Sequence, residues 1–92
     1  MNLSFEWDDA KAASNLTKHG VSFTLAARTF YDPARLDRYD DREDYSEDRF
    51  LTIGLVGDMG LTVTYTMRGD TIRIISARQA ESHEQRDYWK NR

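Results

Sequence analysis

Ninety-two residues suffice for a single domain, 1–92, with one modest core. The chain has no cysteine, which excludes disulfides, thiolate zinc sites and thiol nucleophiles, and its net charge of −3 argues against a nonspecific nucleic-acid coat. No run nears the ~20 apolar residues of a membrane span, and Met1-Asn2-Leu3-Ser4-Phe5 lacks the basic start and apolar stretch of a signal peptide, so a cytoplasmic protein is expected.

Phe5 and Trp7 flank Glu6 in a short alternation that predicts a small strand. Asp8 or Asp9 then caps a helix over Ala10–Lys18, with Ala12, Ala13 and Leu16 on its apolar side. Gly20 ends it, leaving Lys18 and His19 in the last turn beside the negative end of the dipole. Ser22 caps a second helix, Val21 staples against Ala26, and Phe23, Ala26, Ala27 and Phe30 form its buried face. Asp32-Pro33 stops it, because the residue before proline is pushed out of the helical region.

Leu36 and Tyr39 suggest a short edge strand, followed by a solvated acidic loop. Phe50–Val56 reads as a strand, Gly57–Gly60 as a turn, and Leu61–Met67 as a strict alternation of apolar residues with threonines. Arg68-Gly69-Asp70 turns again, and Thr71–Ala77 is a third strand. Its plain alternation puts Ile72, Ile74 and Ser76 on one face and Arg73, Ile75 and Ala77 on the other. Short connections imply an antiparallel meander. Ser82 and Gln85 fit a capping box for a closing helix with Tyr88 and Trp89. The fold class is α+β: two N-terminal helices, an antiparallel sheet and a C-terminal helix.

Charge is unevenly spread. Residues 37–48 carry seven acids against Arg38 and Arg42, a net of −5, so the remainder is mildly basic. No pair of histidines has zinc-ligand spacing, the acidic run lacks EF-hand order, and no P-loop or Gly-x-Ser-x-Gly elbow is present. No metal or cofactor is expected.

What remains is a polar set: Lys18, His19, Glu47, Arg49, Arg73, Arg78, Arg86 and Tyr88. Arg73 stands out because it lies between Ile72 and Ile74, where a guanidinium needs an anionic partner, a ligand or a route to water. One reading is a salt bridge to Glu47 or Asp48; the other is a phosphate clamp, which suits arginine's bidentate fork. His19 either satisfies helix-end carbonyls or serves acid–base chemistry. Glu47 and Arg49, two apart, project to the same side, either as a solvated pair or as a carboxylate base beside a phosphate-binding arginine. Tyr88 and Trp89 read first as core or interface anchors.

Phe5-Glu6-Trp7-Asp8, Lys11-Ala12, Asn15-Leu16 and Lys18-His19-Gly20-Val21-Ser22-Phe23 together resemble the opening of BrnT-type toxins. The likeness continues through Phe30-x-Asp32-Pro33, Glu47-x-Arg49, Ile53-Gly54, Tyr65-Thr66, Arg73-Ile74-Ile75-Ser76-Ala77-Arg78 and Tyr88. The resemblance implies a RelE-like fold and the toxin of a type II toxin–antitoxin pair, a metal-independent endoribonuclease that arrests translation. It also implies a BrnA-like ribbon-helix-helix antitoxin, two toxins on an antitoxin dimer, and operator DNA met only through that antitoxin. On this reading Arg49, Arg73 and Arg78 hold the scissile phosphate and His19 or Glu47 moves protons. Lys18, Ser76 and Tyr88 support RNA binding. The alternative is a weakly active or inactive module that survives as partner to a ribbon-helix-helix repressor. Direct DNA binding lacks a basic recognition helix.

Overall fold

The computed structural model describes residues 2–42, 44 and 46–91; Met1, Glu43 of the acidic run, Tyr45 and Arg92 lie outside it. The described elements are β1 (Ser4–Glu6), α1 (Asp9–His19), α2 (Phe23–Ala27), a 3-10 turn (Arg28–Tyr31), β2 (Leu36–Asp40), β3 (Arg49–Val56), β4 (Met59–Arg68), β5 (Thr71–Gln79) and α3 (Ser82–Lys90). The strands form one sheet in the order β1-β5-β4-β3-β2. No helix among the described residues is long and apolar enough to cross a membrane.

The α+β order is as expected, with one change: the sheet is mixed. β2 to β5 are an antiparallel meander, but β1 runs parallel to β5, with Glu6 opposite Arg73. Two-residue turns, Gly57-Asp58 and Gly69-Asp70, join β3 to β4 and β4 to β5. Each opens on a glycine at φ near 60°, which twists in the sense the strands need. The turns are tighter than the sequence suggested, so β4 runs from Met59 to Arg68.

The capping residues of the first two helices are those expected. The Asp8 carboxylate accepts from the backbone N–H of Lys11, and the Ser22 hydroxyl from that of Leu25. The second helix tightens into a 3-10 turn before Asp32. The closing helix differs: its N-cap is Glu81 rather than Ser82, and Glu84 at N3, not Gln85, accepts from the Glu81 N–H at 2.8 Å.

α1 and α2 cover one face of the sheet. Phe23, Ala26 and Phe30 pack there on Leu61, Val63, Tyr65, Ile72, Ile74 and Ala77. Rings chain across this layer, from Phe5 to Phe30 at 5.5 Å, Phe30 to Tyr65 at 4.9 Å and Tyr65 to Phe50 at 5.6 Å. α3 lies on the opposite face, at one end only, seating Tyr88 against Ile53 and Ala80.

Two local readings are corrected, and both bear on the site. Leu16 is half-exposed; α1 docks through Ala12 and the buried Asn15 instead. In β5 the alternation breaks at a bulge: Ile74 opposes Tyr65, Ser76 opposes Thr64, and Ile75 is the extra residue. Ala77 therefore joins Ile72 and Ile74 in the core, while Arg73, Ser76 and Arg78 share the other face.

Candidate active site on the arginine face of the sheet

The register of the strands lays out this face as three rows. One runs Arg78, Thr62, Ile53, Leu36, and the next runs Ser76, Thr64, Leu51, Arg38. The third begins Arg73, Thr66 and ends Arg49, Asp40. With strands ~4.8 Å apart, Arg73 and Arg49 flank Thr66 at about 10 Å backbone separation. Arg78 lies two rows away along β5, so the three arginines surround the Ser76–Thr64 pair. The bulge is what permits this arrangement; without it Ser76 and Arg78 would point into the apolar core.

The floor is polar yet buried: Thr62, Thr64 and Thr66 are 2%, 7% and 3% exposed. Buried groups of this kind are mostly hydrogen-bonded, and those at the ends of the row are. The Thr62 hydroxyl donates to Glu84 Oε1, and the Thr66 hydroxyl to the carbonyl oxygen of Asp48.

Each arginine here meets a carboxylate. Arg73 donates to Glu6 at 2.6 Å, rather than to Glu47 or Asp48, because β1 lies parallel beside β5 and sets Glu6 opposite it. Arg78 grips Glu84 with both terminal nitrogens, at 2.7 and 3.0 Å. Arg49 lies 3.8 Å from Glu47, which also holds Arg68 at 3.3 Å. Arg38 pairs with Asp87 of α3 at 2.7 Å, and Arg42 grips Asp40 at 2.8 and 2.9 Å.

Two of these carboxylates are buried. Burial alone would raise the Glu84 pKa, but hydrogen bonds from Arg78, the Glu81 N–H and Thr62 outweigh it and hold the group at about 2. The bond to Glu84 in turn raises the Arg78 pKa despite burial. Asp40 is held below its ordinary value by the Arg42 fork, against the effect of burial. Glu84 and Asp40 thus stay ionised and fix an arginine each, from opposite sides of the face.

The remaining expected residues divide. Lys18 and His19, at the end of α1, line a cleft with Ile75 and Ser76, and so border the face along its β5 edge. Glu47 sits beyond the start of β3. Tyr88 is 2% exposed and donates to Asp32 Oδ2 at 2.6 Å; the same oxygen accepts from the Leu55 N–H. That hydroxyl is turned to a loop latch rather than to the arginines. Arg86 lies on α3, toward Trp89 and Lys90.

Asn15, Asp40, Arg42 and Glu84 were missed from the sequence. Asn15 bonds both the N–H and the C=O of Ala77, and also the C=O of Val21. It takes the place of a strand partner where β1 has ended, pinning α1 to the bulge. Its visible signal is a polar residue at i+3 from Ala12 on the docking stripe. Glu81, His83 and Glu84 bring ligand atoms within 4.8 Å of one another, but both Glu84 oxygens are engaged by Arg78.

Residues 7–84 match the family described as the ribonuclease toxin, BrnT, of type II toxin–antitoxin system. The chain belongs to this family. No curated protein matches it. The match runs from Trp7 to Glu84 and so takes in α1, the meander and every face residue from Arg38 to Arg78; Glu6 lies just before it. Membership carries ribonuclease toxin activity and an antitoxin partner.

Proposed function

We propose that the protein is a metal-independent endoribonuclease acting on the arginine face, held in check in the cytoplasm by a ribbon-helix-helix antitoxin. The observation that carries this reading is the convergence of Arg49, Arg73 and Arg78 around Ser76 and Thr64. Three fixed cations around a hydroxyl-lined floor suit a phosphate whose charge grows as it becomes five-coordinate. A base takes the proton of the RNA 2′-hydroxyl, and that oxygen bonds to phosphorus. The bond from phosphorus to the 5′ oxygen breaks, and an acid protonates the leaving oxygen. The products are a 2′,3′-cyclic phosphate and a 5′-hydroxyl. Glu47 beside Arg49 and His19 beside Ser76 are the proton-transfer candidates, on opposite edges of the face, worth about 10²–10⁴-fold. Lys18 supports the strand. Tyr88, latched to Asp32, supports it indirectly by seating α3. Loss of cellular RNA then stops translation.

The test is cleavage of a defined RNA in EDTA by purified protein, with product ends identified. Arg73→Ala should lose at least 10²-fold in rate while keeping its unfolding midpoint. Activity that vanishes with chelator, or an Arg73→Ala protein that cuts normally, sinks the scheme.

One observation favours a second reading, that of a weakly active binding module. Every arginine named on the face already meets a carboxylate, so an RNA phosphate must compete with it. Induction without antitoxin separates the two: growth arrest supports the nuclease, and unimpaired growth the module.

A further inference from the structure

Lys11, Ser14, Lys18 and His19 fall on one face of α1, at i, i+3, i+7 and i+8. With Ile75 and Ser76 they line a cleft of about 190 Å³ between the helix and the bulge of β5. Ser76 is common to this cleft and to the arginine face, so the two surfaces meet there. Their electrostatics differ. The arginines of the face are matched by carboxylates, whereas among the described residues no Asp or Glu carboxylate oxygen lies within 4.0 Å of the side-chain nitrogens of Lys11, Lys18 or His19. The nearby Asp8 carboxylate is turned to the helix end, where it accepts from a backbone N–H. The cleft therefore presents uncompensated positive charge with two hydroxyls between.

We infer that this cleft is a second phosphate subsite, which holds the RNA backbone next to the scissile phosphate. The inference rests on the ribonuclease reading and adds the path of the strand: off the sheet face, across Ser76, and along α1. Seven residues of helix separate Lys11 from Lys18, a rise of about 10 Å, longer than one phosphate group. Lysine ammoniums and serine hydroxyls bind phosphate oxygens without reading bases, so the subsite adds affinity and register rather than sequence preference. Asn15 makes the spacing rigid, because its amide clamps α1 to Ala77, next to Ser76. A substrate of only two nucleotides fills the face as far as Ser76 and His19 and does not reach Lys11 at the far end of the cleft.

The measurement is binding of 2′-O-methyl RNA, which cannot undergo 2′ attack, as a hexanucleotide and as a dinucleotide over a range of salt. Lys11→Ala should weaken hexanucleotide binding several-fold and reduce the salt slope by about 0.7, the value for one phosphate contact on a single strand. Dinucleotide binding should be unchanged, and Lys11→Arg should restore the hexanucleotide. Lys11 is exposed on the helix, so Ala keeps the fold, and Lys11→Gln checks that the lost charge is the cause. Hexanucleotide affinity and slope equal to those of the unaltered protein overturn the inference. Because the probe is never cut, failure of the cleavage reaction is read separately: a protein that binds through Lys11 but leaves ordinary RNA intact retains the subsite and loses the nuclease.

Discussion

The two faces of one sheet are built from the same strands and do opposite work. On the helix side, Leu61, Val63, Tyr65, Ile72 and Ile74 meet Phe23 and Phe30 in an apolar layer, bordered by the Arg35 guanidinium over the Phe30 ring and by Asp37, which accepts from the Tyr65 hydroxyl. On the other, Thr62, Thr64 and Thr66 lie equally deep under a cover of ion-paired arginines. Apolar burial stabilises at roughly 25 cal/mol per Å², whereas a buried ion pair does little better than break even against desolvation. The difference teaches that burial on the helix side holds the fold, while burial on the arginine side fixes the positions of charged groups at little net gain.

The largest effect should come from the helix side. Phe30→Ala removes a ring packed on Phe5 and Tyr65 and should cost about 3–5 kcal/mol in urea unfolding, enough to unfold much of a marginal domain. A loss below about 1 kcal/mol would break the comparison at its base. Asn15→Ala comes next. It strands the N–H and C=O of Ala77 in a buried place, at about 2–4 kcal/mol for the groups left unpaired. Asn15→Asp keeps the acceptor for the Ala77 N–H but sets a buried carboxylate against the carbonyl oxygens of Ala77 and Val21, so at neutral pH it should be at least as destabilising as Ala.

Much of this was legible in the chain. The alternation of β4, the Asp8 and Ser22 caps and the Asp32-Pro33 stop depend on neighbours within a few residues, and they stand as read. What failed depends on partners far away in sequence. The β5 bulge is invisible to a period of two; only the pairing of Thr64 with Ser76 and Tyr65 with Ile74 shows it. Arg73 was given partners near Glu47 because a meander places those residues across the sheet. The parallel β1 strand, 67 residues away, supplies Glu6 instead. Asn15 and Glu84 look like ordinary surface residues until the helices dock. Arginines could be chosen by residue type, and Glu47 beside Arg49 by spacing, but Glu6 and Glu84 could be matched to their arginines only by geometry.

Glu84 allows the buried polar side to be weighed by pH. Its folded pKa of about 2 lies below the ordinary glutamate value of 4.5. A depressed pKa means stability present above about 4.5 and lost as pH falls through that window toward 2. The contribution is of order 2–3 kcal/mol, since Arg78 across from it is partly open to water. Urea unfolding of the unaltered protein and of Glu84→Gln should therefore converge as pH drops from 5 to 2. Parallel pH profiles would show that Glu84 is not ionised by its partners.

The smallest stability change should come from Glu6 and Arg73, whose side chains are 40% and 29% exposed. A double-mutant cycle should return a coupling of no more than about 1 kcal/mol, as for other solvent-reached pairs. On RNA the same pair should act in the other direction from a stabilising contact. Glu6 competes for the guanidinium that the proposed reaction needs, so Glu6→Gln should bind uncleavable RNA a few-fold more tightly. Glu6→Gln binding as weakly as Arg73→Ala would mean that Glu6 aims Arg73 at the phosphate. A Glu6→Gln protein that binds unchanged would place Arg73 outside the RNA path, leaving Arg49 and Arg78 to hold the phosphate.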